Sequence, residues 1–143
     1  MDRDGGCVCG AVRFTAKDVG AVSACHCGMC ARWSGGILLS AFVSEVDWHA
    51  RAELRTYVSS EWAARSFCGA CGSALLWRMT HPNLRETMSV PVGALDDRSG
   101  LELTREWFVD RKPDFYALAG DRPEVTESEA FAMLEDAIAK KKP

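Results

Sequence analysis

Cys25-His26-Cys27-Gly28-Met29-Cys30 packs three thiols into one short segment. Two cysteine pairs flank it, Cys7-Val8-Cys9-Gly10 before it and Cys68-Gly69-Ala70-Cys71-Gly72 after it. The total of seven cysteines is odd, so a complete set of disulfides within one chain is excluded. Clustered thiols at these spacings read as metal ligands. The two flanking pairs share a grammar, because each second thiol is followed by glycine. Glycine permits the positive φ of a turn that aims backbone N–H groups at sulfur. Two such pairs can clasp one ion from opposite sides, as a zinc ribbon does, with a C-x-C replacing one C-x-x-C. A site of this kind ties the N-terminus to the middle of the chain, and its binding free energy is folding free energy.

The remaining three thiols make a different site. In extended backbone Cys25 and Cys27 point the same way, and a turn through Gly28 brings Cys30 round to them. Three thiolates leave a fourth position to water, to substrate, or to a histidine (His26, His49 or His81) that would close the site. Seven thiols do not divide into the four-cysteine sets of iron–sulfur clusters. Three thiolates on one zinc ion carry a net charge near −1, which Arg32 stands close enough in sequence to offset. Two zinc ions per chain are therefore expected, one structural and one with an open position where chemistry occurs.

Outward from the cysteines the chain reads mainly as strands. Val12, Phe14 and Ala16 alternate with Arg13 and Thr15. Gly36 to Val43 is a buried run, and Glu53 to Val58 alternates again. Ala74 to Trp77 and Glu86 to Val92 follow, the second with Pro91 suggesting an edge or a bulge. Leu101, Leu103, Arg105 and Trp107 alternate with Glu102, Thr104, Glu106 and Phe108 in a final strand. Asp47-Trp48-His49-Ala50 reads as a surface turn. Pro113 to Leu118 reads as a short helix. Thr126 and Glu129 have capping-box spacing ahead of Phe131, Leu134 and Ile138, so a C-terminal helix is expected over about 127–141, ending in Lys140, Lys141 and Lys142.

At 143 residues with 48 % hydrophobic and 26 % charged residues, the composition is that of one soluble domain, 1–143. A net charge of −3 gives no reason to expect nucleic acid as a partner. The first residues hold no apolar signal core, and the longest apolar stretch is too short to cross a bilayer. Clustered free thiols fit the reducing cytoplasm. Edge strands and the extra helix make a homodimer an expectation.

These motifs carry a resemblance. Gly6-Cys7-Val8-Cys9-Gly10-Ala11-Val12-Arg13-Phe14, Cys25 to Cys30, and Phe67-Cys68-Gly69-Ala70-Cys71-Gly72 together resemble the glutathione-dependent formaldehyde-activating enzyme family. Val92-Gly93-Ala94-Leu95-Asp96-Asp97 is similar to its later glycine–leucine–aspartate turn, and Lys112-Pro113-Asp114-Phe115-Tyr116 to its lysine–proline–aspartate–aromatic segment. The resemblance covers about residues 5–120. It implies a β-tent fold, with antiparallel sheets joined by a structural zinc held by Cys7, Cys9, Cys68 and Cys71. It also implies a catalytic zinc on Cys25, Cys27 and Cys30. The sequence departs from the family pattern after Cys30, where Ala31 precedes Arg32, and at Trp107.

The activity so implied is a carbon–sulfur lyase run towards synthesis: glutathione, or another small thiol, adds to formaldehyde or another aldehyde. His26 is a candidate proton donor to the new alkoxide, and Arg32 a candidate partner for a substrate carboxylate. The alternative is a non-catalytic zinc-scaffolded module that binds other proteins. Metal buffering or redox sensing by the three-thiol loop is a third reading.

Overall fold

The computed structural model describes residues 1–140, so Lys141 and Lys142 lie outside the described residues. Eleven strands form two sheets. Strands β1 (Arg3–Gly6), β2 (Arg13–Lys17) and β5 (Glu45–Ala50) make an antiparallel three-stranded sheet in the order β1-β2-β5. The other eight are β3 (Val22–Cys25), β4 (Leu38–Val43), β6 (Leu54–Val58), β7 (Ala63–Cys68), β8 (Ala74–Met79), β9 (Met88–Pro91), β10 (Leu103–Trp107) and β11 (Glu124–Val125). They lie in the order β11-β10-β3-β4-β9-β8-β7-β6. Five of the pairings are antiparallel, but β10 runs parallel to both β3 and β11, so this sheet is mixed at one end.

The alternation that marked β2 holds: Phe14 and Ala16 are fully buried while Arg13, Thr15 and Lys17 are not. They meet Val43, Leu75, Met88 and Val90 of the larger sheet in one apolar core. Pro91 lies in an inner strand but at a locally unpaired position. Strand β9 lies between β4 and β8, but its pairing with β8 ends at Ser89, so Pro91 at the strand's end is paired on the β4 side alone. His49 lies within β5 rather than in a turn, its Nε2 2.7 Å from Thr15 Oγ1 on the neighbouring strand.

Strand β1 docks closely on the glycine–leucine–aspartate turn. Gly5 bridges Leu95, and Asp96 N–H donates to Asp4 O at 3.0 Å. A Cβ on Gly5 would strike the Ala94 carbonyl oxygen and lie 2.7 Å from Phe14 Cζ. Gly5→Ala is therefore expected to cost about 1–3 kcal/mol through overpacking. Thermal unfolding measures it, and an unchanged midpoint would show that β1 is not held here.

Among the described residues there are two α-helices, α1 (Gly28–Ser34) and α2 (Glu127–Lys140). The capping box of α2 forms: Glu129 N–H donates to Thr126 Oγ1 at 3.3 Å, and Thr126 N–H donates to Glu129 Oε1 at 3.0 Å. The helix expected over Pro113–Leu118 is absent. Lys112 Nζ donates to the carbonyls of Pro113 and Tyr116, at 3.2 and 2.6 Å, and holds that segment as an irregular loop. The short helix lies instead on the cysteine loop, capped by Cys27, whose Sγ accepts from Cys30 N–H at 3.3 Å.

Candidate metal centres and an adjoining cavity

Cys7 and Cys9 follow β1, and Cys68 and Cys71 sit at the turn that ends β7. Their four sulfurs lie within 4.8 Å of one another. Gly10 and Gly72 both adopt φ +81°, and a Cβ on either would meet nothing, so glycine is required for its conformation rather than for space. The turns match: Gly10 N–H donates to Cys7 O and Gly72 N–H to Cys68 O. Val12 N–H donates to Cys7 Sγ at 3.2 Å. The Ser73 hydroxyl, 3.2 Å from Cys71 Sγ, leads the interactions that bring that thiol down to about 5. Four converging sulfurs with donors turned towards them are the chemistry of a closed thiolate site for a metal ion.

Cys25, Cys27 and Cys30 also converge within 4.8 Å. Cys25 ends β3, Cys27 caps α1 and Cys30 lies one turn in, so strand and helix together aim the three sulfurs at one point. Hydrogen bonding with Cys25 and then Cys30 pushes the Cys27 thiol far down, and the same contact with Cys27 raises Cys25. No histidine among the described residues belongs to this group of possible ligands.

The cation beside these thiols is Arg65, on β7. It is 3 % exposed, and its Nη2 lies 3.5 Å from Cys30 Sγ. Its guanidinium carbon is 5.9 Å from the centre of the Trp33 ring. Its Nε and Nη1 have no acceptor among the described residues. Arg32, the sequence candidate, is exposed on α1 and does not line the site.

His26 is buried behind the loop, its side chain fully covered. Nδ1 lies 2.7 Å from Tyr116 Oη and Nε2 2.8 Å from Glu106 Oε1. Arg122 Nη1 donates to Glu106 Oε2 at 2.6 Å. Burial works against the Glu106 carboxylate, but the hydrogen bonds from His26 and Arg122 outweigh it and hold the acid below its usual range. Both ring nitrogens of His26 are therefore engaged, and His26 does not line the cavity.

That cavity, of about 510 Å³, opens from Cys25, Cys27 and Cys30. Trp62, Trp77 and Trp107 form its walls, and Phe131, Leu134 and Ala137 of α2 lie along one side. Sequence reasoning missed Arg65, Glu106, Tyr116 and Arg122. The signal for Arg65 was an arginine at an inward position of β7, a strand whose small and charged residues concealed its alternation. Simple alternation groups Glu106 with Glu102 and Thr104, which are exposed. A register shift between Leu103 and Arg105 reverses the facing there and buries it.

The model of the glutathione-dependent formaldehyde-activating enzyme family matches residues 2–111. The chain is 25 % identical over 133 residues to a Schizosaccharomyces pombe protein described as an uncharacterized lyase, covering 92 % of this chain and 96 % of that one. A crystal structure of a Rhodobacter sphaeroides protein is similar at a TM-score of 0.53 and 25 % identity, covering 71 % of this chain and 99 % of that one. Strand β11 and helix α2 lie beyond the family match. No helix of the described residues is long and apolar enough to cross a membrane.

Proposed function

The chain belongs to the glutathione-dependent formaldehyde-activating enzyme family, and from that premise we propose that it is a zinc-dependent carbon–sulfur lyase that adds a thiol to an aldehyde, reversibly. The observation that carries this reading is the opening of the three-thiol cluster into a cavity that the four-thiol cluster does not line. In this reading Cys7, Cys9, Cys68 and Cys71 hold a structural zinc ion, and Cys25, Cys27 and Cys30 hold the second. A zinc ion held by three thiolates with a free position supplies Lewis acidity and favours the deprotonated form of a thiol that reaches it.

The rest is done by the chain's own residues. The substrate sulfur bonds to the aldehyde carbon, the carbonyl π bond breaks, and the thiol proton ends on the new hydroxyl; no electrons are gained or lost. Arg65 offsets the negative charge of the three thiolates, the role expected of Arg32. The cavity walls hold both reactants together and keep water away, which supplies the proximity and orientation contribution. His26 acts as a positioning residue: anchored by Glu106 and Tyr116, it fixes the Cys25–Cys27 loop. The free thiols fit a reducing compartment such as the cytoplasm.

Glutathione and formaldehyde are the first pair to assay. Exchange NMR reads the rate of adduct formation with and without protein. Cys30→Ser is expected to lower that rate at least about 100-fold while leaving the fold and one tightly held zinc in place. Equal rates for the variant and the wild type would reject the three-thiol site as the reaction centre. A wild type with both zinc ions that accelerates no thiol–aldehyde pair would leave the zinc-scaffolded binding module as the better reading.

A further inference from the structure

The cavity at the three-thiol cluster is large and largely apolar, and its lining holds one cationic side chain among the described residues. Its volume of about 510 Å³ falls in the range of sites that enclose whole organic ligands, roughly 300–1,000 Å³. At about 30 Å³ per water it equals on the order of fifteen waters, far more than formaldehyde displaces. Helix α2 runs along it with its apolar side only partly covered: Phe131 is 40 % and Met133 44 % exposed. Phe131 meets Trp62 and Phe108 edge-on, each with ring centres 6.0 Å apart, so the helix is anchored along the cavity rather than detached. Asn83 Nδ2 adds a hydrogen bond to Ile138 O at 3.1 Å.

Beside Cys30 in the lining stands Arg65, almost wholly buried, with two nitrogens lacking an acceptor among the described residues. A buried guanidinium with idle donors is costly unless an anion meets it. Cys30 Sγ uses one nitrogen only. The charged side chains lining the cavity, besides the cysteines, are Arg65 and Glu127. Glutathione carries two carboxylates, an ammonium and two peptide groups; Glu127 could meet the ammonium and the hydroxyls of Ser23, Ser40, Ser60, Thr87 and Ser89 some of the peptide groups, but the lining offers one cation, Arg65, for two carboxylates. One carboxylate close to the sulfur suits this space better, because Arg65 stands beside the cluster that the sulfur must reach.

We propose that the thiol substrate is an apolar mercaptocarboxylate, with its carboxylate on Arg65 close to the reacting sulfur and its hydrocarbon body between Trp62, Trp77, Trp107 and α2. The assignment of the sulfur as the reacting atom rests on the lyase reading; the recognition of the carboxylate and the apolar body does not. The walls contribute through the area they remove from water and Arg65 through a charge-assisted hydrogen bond.

The test uses the full, zinc-loaded chain and follows tryptophan fluorescence, which reports binding without turnover. The probes are α-mercaptophenylpropionate, phenylethanethiol without the carboxylate, mercaptoacetate without the apolar body, and glutathione. The first is expected to bind at least about tenfold more tightly than each of the others. Arg65→Met is expected to abolish its advantage over phenylethanethiol. Because Arg65 is buried, a second variant guards against misfolding of the first. Ala137→Trp fills the cavity from the half-exposed helix and is expected to weaken α-mercaptophenylpropionate about tenfold while sparing mercaptoacetate. Glutathione binding as tightly as the aromatic probe, or an Ala137→Trp variant of unchanged affinity, overturns the proposal. Tight, Arg65-dependent binding without any thiol–aldehyde turnover upholds it and rejects the lyase reading; turnover of glutathione without selective binding does the reverse.

Discussion

Cys68→Ser is expected to leave no cooperatively folded protein near physiological temperature. Cys68 is fully buried, and its turn faces the turn that carries Cys7 and Cys9, so this cluster joins the three-stranded sheet to the larger one. Its sulfur lies 3.8 Å from Cys9 Sγ. A structural zinc site contributes about 10–16 kcal/mol in small zinc-binding peptides, comparable to the entire stability of a domain, about 5–15 kcal/mol. Serine nearly preserves the volume, so a packing defect alone would cost far less. Metal content and circular dichroism on the same sample decide the matter. The expected result is loss of the tightly held zinc together with loss of the unfolding transition, whereas Cys30→Ser keeps both. A Cys68→Ser protein that unfolds cooperatively at the wild-type temperature would show that the four thiols hold no stabilising ion. Prolonged chelation of the wild type should reproduce the unfolding, and it should do so only after the three-thiol site has emptied.

The convergence of the cysteines into two clusters was legible because a candidate metal site needs particular side chains at particular spacings, and sequence spacing records both. Glycine at positions 10 and 72 was legible for the same reason, since each φ of +81° is a local demand. The strand at Arg13–Lys17 announced itself through strict alternation. Helix α1 did not, because its cap is a cysteine rather than serine or aspartate and it spans only seven residues. Arg65 and Glu106 were hidden for a deeper reason. What makes each of them part of the site is a partner far along the chain: Cys30 for the one, His26 and Arg122 for the other. Pairings of that kind follow from sheet order and register, here a parallel β3–β10 contact with a bulge, and neither is written in local periodicity. The lysine–proline–aspartate–aromatic segment is a middle case. Its residues carry part of the family resemblance, but the contact of the Tyr116 hydroxyl with His26 emerges only once the loop is folded.

That buried network sets the second large expectation. Glu106→Gln should destabilise the fold by about 3–5 kcal/mol, because it leaves the guanidinium of Arg122 buried without its counter-charge. The side chain of Arg122 is 8 % exposed and that of Glu106 6 %, so solvent cannot replace the lost partner. For a domain of this size the unfolding midpoint should fall by roughly 10–20 °C. The pair itself is less valuable than its rupture suggests, because burying both charges has its own desolvation cost. Glu106→Leu combined with Arg122→Met should therefore recover much of the loss, whereas additive losses would deny the coupling. The pH dependence has a definite sign. The folded state holds Glu106 below the usual carboxylate range, so its contribution is fully present above the unfolded value, about 4.3, and is lost as pH falls through the folded value. The stability gap between wild type and Glu106→Gln should thus close in acid. A gap that widened on acidification would mean that burial, rather than His26 and Arg122, governs the carboxylate.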